Sequence, residues 1–429
     1  MSFTSVEPRR NRDLWITILA RSISLLGDEA AVVALTLRLH DSGGGTAAIA
    51  ALFIAGALPL VVCAPLAGRL VDRYDSRVLL VWSGTAQALA CTALAYVHSL
   101  PTVLVLVAAL GVGQSVNGAT WAALLPRITG DERLPAAMSL MQSVRTVASI
   151  VAPAVGGVLT GLYGARVPLL LDAGTFGLVT LAALLVRTRR RLGRAAAAAQ
   201  HGGLRVVRDD PVLVVLLSLL AGFIVLGAMV NVIDVFLVRD TLHASATWYG
   251  LLAAMWGAGM LLGSLVSRRW RQQDALVRLV LASSAVLSVA MFGYAAAPAV
   301  GWIVPVALMG GAANGLLVYG VNTLTMLRAT DEVRGRVSAT VNGITSAAMI
   351  GAFFLGGAIA VVATPRQVFA ASAVLGLLAP MASGRLLLRA AASAGGPRSR
   401  MLGGWSARAG HRSSSAAESV ASTAKATLP

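Results

Sequence analysis

The sequence predicts an all-α polytopic membrane protein with twelve transmembrane helices in two six-helix bundles. Three observations predict it. Hydrophobic residues make up 57% of the chain and charged residues only 12%, about half the charged share of a soluble domain. Apolar runs recur, each long enough to cross a hydrocarbon core of roughly 30 Å. A basic connector, opening Arg187-Thr188-Arg189-Arg190-Arg191, divides those runs into two sets of six near the midpoint.

The expected spans lie near residues 14–38, 46–67, 78–97, 101–125, 137–162, 166–186, 212–238, 247–266, 276–297, 300–326, 338–362 and 366–388. They are too long and too uniformly apolar for strands of an outer-membrane barrel. The first is too long for a signal peptide and lacks a small-residue cleavage site, so it is expected to persist. The organisation is then a cytoplasmic N-terminus (1–13), a first bundle (14–186), a basic linker (187–211), a second bundle (212–388) and a tail (389–429). The tail is rich in Ala, Ser, Gly and Arg without apolar periodicity, which predicts disorder.

The formal net charge of +17 suggests a nucleic-acid binder, but its placement argues otherwise. Among 35 basic residues, only Arg166, Arg239 and Arg366 fall in odd-numbered loops. Most of the others fall in the N-terminus, the even-numbered loops and the tail. That asymmetry predicts both termini in the cytoplasm, with a lipid bilayer rather than nucleic acid as the partner. Cys63 and Cys91 fall within spans and read as small packing residues. The five histidines lack metal-ligand spacing.

A shift of 200 residues lays Gly111 on Gly311, Asp131-Glu132 on Asp331-Glu332, and Gly156-Gly157 on Gly356-Gly357. Six spans separate the copies, so the repeat is parallel, about an axis along the membrane normal.

Polar residues inside spans are the functional candidates, because a charge at the bilayer centre costs at least ~2.5–3.5 kcal/mol. Asp28 and Glu29 sit deep in the first span. They point about 100° apart, so at most one faces a transport path. An acid there is a candidate for proton exchange, and Arg21, two turns earlier, is placed to tune it. Arg145 lies at a similar depth in the fifth span. Gln114, Asn117, Arg145, Asn231, Asp234 and Asn314 are candidates for a substrate cavity. Asp172 and Asp234 sit nearer the span ends and equally suit interfacial anchors. Pro153 removes a helical hydrogen bond while Gly156 and Gly157 admit a close neighbour, which suits a hinge. No phosphate-binding Walker loop, dinucleotide fingerprint or metal spacing is present, so the sequence implies neither an enzyme nor a cofactor.

The segment Gly68–Arg77 carries two acids and three arginines between apolar spans. It reads as a charged, turn-prone loop. Gly68, Leu70, Asp72, Arg73 and Arg77 match a Gly-x-Leu-x-Asp-Arg signature with a following base, and the chain resembles the major facilitator superfamily. The resemblance implies that this loop latches the halves when the cavity faces outward. Asp75 and Ser76 depart from the pattern. Ser24–Asp28, Ala57-Leu58-Pro59, Leu171-Asp172-Ala173 with Phe176, Tyr249–Leu252 and Arg334–Val337 are similar to macrolide-efflux and enterobactin-exporter-type proteins of the drug/proton antiporter branch. Ala152–Gly157 is similar to the antiporter element Gly-Pro-x-x-Gly-Gly. Val107 stands where many proton-coupled exporters carry a span-4 arginine, which leaves Asp28 or Glu29 to couple protons.

The resemblance implies a monomeric, multi-pass cell-membrane transporter that exports small amphipathic molecules against protons by alternating access. A metabolite importer or uniporter, or a transport-dead scaffold or sensor, are the alternatives.

Overall fold

The computed structural model describes residues 8–130, 132–186, 203–267, 269–270, 272–328 and 334–394. Among these, all regular structure is helical. The first series is α1 (Pro8–Asp41), α2 (Thr46–Val62), α3 (Ala64–Arg73), α4 (Ser76–Leu94), α5 (Leu100–Thr129), α6 (Leu134–Tyr163) and α7 (Arg166–Leu185). A short helix follows, α8 (Gly203–Asp209). The second series is α9 (Pro211–Phe236), continued by a π-helical turn (Leu237–Thr241), then α10 (Ala246–Ser267), α11 (Gln273–Ala295), α12 (Val300–Arg328), α13 (Arg334–Ile359) and α14 (Pro365–Ala394).

Among the described residues, nine helices are long and apolar enough to cross a membrane, or ten if the bent α2–α3 pair is one span. The bend is 48° and follows Pro59, which cannot donate its backbone hydrogen bond. α1 is long enough, at 34 residues, but Arg21, Asp28, Glu29 and Arg38 make it too polar for that count. Most of the basic linker, 187–202, and the tail beyond 394 lie outside the described residues, as do Asp131 and Asp331-Glu332. The linker's end is the helix α8.

The internal repeat is visible in which backbones touch. A β-carbon on Gly156 would lie 2.8 Å from Ala30 Cα, and one on Gly356 would lie 3.0 Å from Met229 Cα. Each of these glycines thus meets the first long helix of its own series. Gly111 and Gly311 meet the second, against Gly56 O and Trp256 O. The partners, like the glycines, correspond at a shift of 199 or 200 residues. Glycine is required because only a missing side chain lets two helices approach to backbone contact.

The segment 68–77 differs from the expected loop. Gly68 to Arg73 are helical, and only Tyr74 and Asp75 form the turn. Asp75 is extended and its carboxylate accepts from Arg77 N at 2.8 Å, which caps α4. An aspartate at this position therefore starts the next helix, as N-cap residues do. The Arg77 guanidinium donates to Leu184 O and that of Arg12 to Leu185 O at 3.2 Å. These are carbonyls at the end of α7 that have no helical partner.

Asp210 plays the capping part for α9, accepting from Val212 N at 2.9 Å and Leu213 N at 3.4 Å. Its two oxygens also receive Arg328 Nε at 2.7 Å and Nη2 at 3.2 Å, which ties the start of α9 to the end of α12. Partial burial disfavours its charge, yet Arg328 and the two N–H groups outweigh burial and hold the carboxyl below its ordinary range. A depressed value stabilises the fold above the unfolded-state value near ~3.9 and is lost as pH falls through the lower folded value. Asp210→Asn keeps a cap but loses the ion pair. In the detergent-solubilised chain it should cost about 1 kcal/mol at pH 7, discounted for partial exposure. The melting-temperature gap from wild type should narrow below about pH 4. A gap that persists unchanged to pH 3 would contradict the assignment.

Candidate functional site: a cavity beneath a closed helix crossing

The two series meet tightly at one end. A β-carbon on Gly157 of α6 would lie 2.7 Å from Gly250 Cα and 2.9 Å from Ala246 O of α10, while Gly250 abuts Pro153 O. The symmetry-related contact joins α13 to α2, with Gly357 against Ala50 and Phe353 stacked on Phe53 at 5.1 Å. Gly156 and Gly157 thus serve two different approaches, one within the first series and one across to the second. Pro153 sits within α6 at the same crossing.

Beyond the crossing, charged residues join the ends of α1 and α9. His40 Nε2 lies 2.9 Å from Asp240 Oδ1 and His40 Nδ1 3.2 Å from Asp41 Oδ1. Arg239 Nη2 lies 2.9 Å from Asp41 Oδ1, and its Nη1 donates to Ala244 O at 3.0 Å. The Phe236 ring meets His40 edge-on at 5.2 Å. Nearby, Arg38 donates to Leu94 O at 2.6 Å and Arg366 to Ala297 O at 2.9 Å, so both close the free carbonyls at helix ends.

Directly under the crossing is a cavity of about 300 Å³. Ser149 and Pro153 line it from α6, and Asn231 and Asp234 from α9. Tyr249 and Trp256 of α10, Met291 and Tyr294 of α11, Asn314 of α12 and Phe369 of α14 complete it. Tyr249 adjoins Gly250, so the crossing forms the cavity's roof. The Tyr294 ring stacks on Phe369 at 5.1 Å and 5°. Asn314 Nδ2 reaches Met260 Sδ at 3.7 Å. Asp234 Oδ1 is enclosed with no hydrogen-bond partner.

A second polar centre lies inside the first series. Asp172 of α7 is 1% exposed, which corrects the reading of it as an interfacial anchor. Its oxygens receive Thr175 Oγ1 at 3.0 Å and the Cys91 thiol at 3.3 Å, so Cys91 is a hydrogen-bond donor as well as a packing residue. Gly27 leaves the space that Asp172 Oδ1 fills. Asp28 stands beside this carboxylate, hydrogen-bonded to Gln114 and within the field of Arg21. Arg21 Nε is buried without a partner, and Arg145 of α6 is its charged neighbour. Glu29 is exposed, within the field of Arg145 and within electrostatic reach of Asp28.

The structure therefore gathers Asn231, Asp234, Asn314 and Pro153 at one cavity, and Arg21, Asp28 and Gln114 at another centre. Asn117 joins neither. It is 1% exposed and its Nδ2 donates to Gln87 Oε1 at 3.3 Å, between α4 and α5. Its expected place on the cavity is corrected accordingly, because a buried amide takes the nearest polar partner. Sequence reasoning missed Tyr249, Met291, Tyr294 and Phe369 as cavity walls, since aromatic and Met residues in apolar helices carry no signal of which face is hollow. Asp172 was visible and its span start was as expected at residue 166, but hydropathy does not say which helices pack over it.

The helix series around a cavity points to a transport protein. Residues 17–352 match the family model of the Major Facilitator Superfamily, and the chain belongs to that family of secondary transporters. It is a multi-pass protein of the cell membrane. An uncharacterized MFS-type transporter, YfiS of Bacillus subtilis (strain 168), is 26% identical over 370 residues, covering 82% of this chain and 88% of that protein. Macrolide efflux protein A of Enterococcus faecalis is 23% identical over 320 residues, covering 71% and 98%. Among solved structures, a bacterial homologue of the iron transporter ferroportin in an inward-facing state has TM-score 0.68 at 14% identity, covering 89% of this chain and 99% of that one. The nucleoside transporter NupG has TM-score 0.69 at 12% identity, covering 86% and 98%. At such identities the structural likeness concerns the fold alone.

Overfilling the crossing should part the two series. Gly157→Leu forces side chain into backbone, at about 1–3 kcal/mol, whereas Gly174→Leu has open space. With His40→Cys and Asp240→Cys installed, cross-linking by a short bis-maleimide should fall severalfold in the first background and stay high in the second. Equal yields would show that the crossing does not hold this end shut.

Proposed function

We propose that this chain is a proton-coupled exporter of small amphipathic compounds. In this reading twelve spans form two bundles, 14–186 and 212–388, joined by the linker at 187–211, with both termini cytoplasmic. The observation that carries it is the cavity between the series, roofed at one end by a crossing of bare backbones. The roofed end is then the outer one, and the described state takes up substrate from the cytoplasm. Rocking about Pro153, Gly156 and Gly157 would part the roof. The Gly68–Arg77 segment, with Gly68, Leu70, Asp72, Arg73 and Arg77, would latch the inner ends after the switch. The similarity to macrolide efflux proteins supports export and an amphipathic cargo, carried by a monomer.

Proton coupling is assigned to Asp28 rather than Glu29, because Asp28 sits in the cluster with Asp172, Gln114 and Arg21. A carboxyl beside another carboxyl disfavours double ionisation, so a proton there is exchangeable as access alternates. The arginine that tunes Asp28 also neighbours Arg145 on α6, the helix that crosses to α10, which gives the proton site a mechanical link to the roof.

In everted vesicles with an acid interior, the wild type should concentrate a labelled macrolide. Asp28→Asn should lose at least about tenfold of proton-driven accumulation while keeping substrate counterflow, which needs no proton. Undiminished proton-driven accumulation by Asp28→Asn, Glu29→Gln and the double variant would sink the assignment.

A further inference from the structure

We propose that the cavity at Asp234 recognises an organic cation, with a protonated amine seated against the Asp234 carboxylate and enclosed by aromatic rings. The proposal deepens the transport reading by naming the cargo's chemistry, and it rests on that reading only for delivery of the cargo.

The first support is an unmet demand. Asp234 Oδ1 is enclosed and accepts no hydrogen bond. A buried polar atom without a partner is costly, and a carboxylate more so. Among the described residues, none lining the cavity is basic, so they do not supply the missing charge. The other polar centre differs on this point: there Asp28 already has Arg21 and Gln114.

The second support is the wall. Tyr249, Trp256, Tyr294 and Phe369 line the same space, with Tyr294 and Phe369 held parallel by stacking. Ring faces attract cations, and they do so more strongly when water is excluded. One carboxylate amid rings suits an alkylated amine better than a metal ion, which takes several oxygen, nitrogen or thiolate ligands. Asn231 and Asn314 offer amide groups that can turn to either donors or acceptors on the rest of the cargo.

Size is the third. About 300 Å³ is at the small end of ligand sites. It fits an amine-bearing head group rather than a large cargo as a whole.

The test uses the purified full chain in detergent and measures binding, not transport. Equilibrium dialysis compares N,N-dimethyl-1-naphthylmethylamine at pH 7 with 1-isobutylnaphthalene, its uncharged isostere. Wild type should prefer the amine by about tenfold or more. Asp234→Asn should reduce that preference to within about twofold and leave the hydrocarbon's affinity unchanged, while Asp234→Glu should retain most of it. Equal wild-type affinities would overturn the proposal whether or not any variant folds. So would a preference that survives Asp234→Asn, which would place the cation elsewhere. A chain that binds the amine selectively but does not move it across vesicles would overturn the transport reading and leave this one standing.

Discussion

Close contact between helices of opposite series, backbone on backbone at Gly157 and Gly250 and against the Ala50 methyl at Gly357, is the constraint on which the rest of the structure depends. In a bilayer the lipid tails are as apolar as leucine, so burial does not drive helices together. Close packing of small residues and interhelical hydrogen bonds do. The crossing therefore has to be bare. Once it is, the same few residues set the width of the cavity below and bring the ends of α1 and α9 within ion-pair reach above. His40, Asp41, Arg239 and Asp240 can meet only because the glycines beneath them do.

Charge in this chain is scarce, and the described structure gives it specific work. Arg12, Arg38 and Arg77 close carbonyls at helix ends, and Arg366 holds Ala295 O and Ala297 O at and just past the end of α11. Asp75 and Asp210 start helices. Inside the long helices, away from their ends, stand Arg21 and Arg145, the acids Asp28 and Asp172, Glu29, and Asp234. A charge at that depth is costly without a task.

Much of this was legible in the sequence, for physical reasons. Hydropathy reports whether a segment tolerates lipid, so the helical class and the order of elements followed directly. Glycine pairs at a fixed shift report backbone contacts, and Gly111/Gly311 and Gly156-Gly157/Gly356-Gly357 fell where the repeat placed them. Side-chain direction was not legible. Asn117 and Gln114 are three residues apart on one apolar helix, yet one turns to Gln87 and the other to Asp28. The segment 68–77 was misread as a loop because charge and glycine were taken as breakers, although a helix end exposed to water tolerates both. Asp172 lay at the depth its span predicted, but which neighbours α7 would turn it toward, Cys91 and Gly27, was not legible.

The repeat also explains why two polar centres coexist without duplicating each other. The glycines that make the contacts are kept between the series, although their partners change, Ala30 to Met229 and Gly56 to Trp256. Positions that carry charge are not. The shift that lays Ala30 on Met229 lays Asp28 on Gly227, which lines the cavity without any side chain. Conversely, Asp234 lies on Leu35, which packs in the core. The two acids are thus seven residues apart on the common scaffold, about 10 Å along a helix. On the proposed alternating-access reading, a scaffold symmetric in its contacts would rock about one axis. Acids placed at unequal depths meet that motion differently, so one can exchange a small ion while the other holds a larger charged guest. Symmetric acids could not divide those tasks, because each rearrangement would treat them alike.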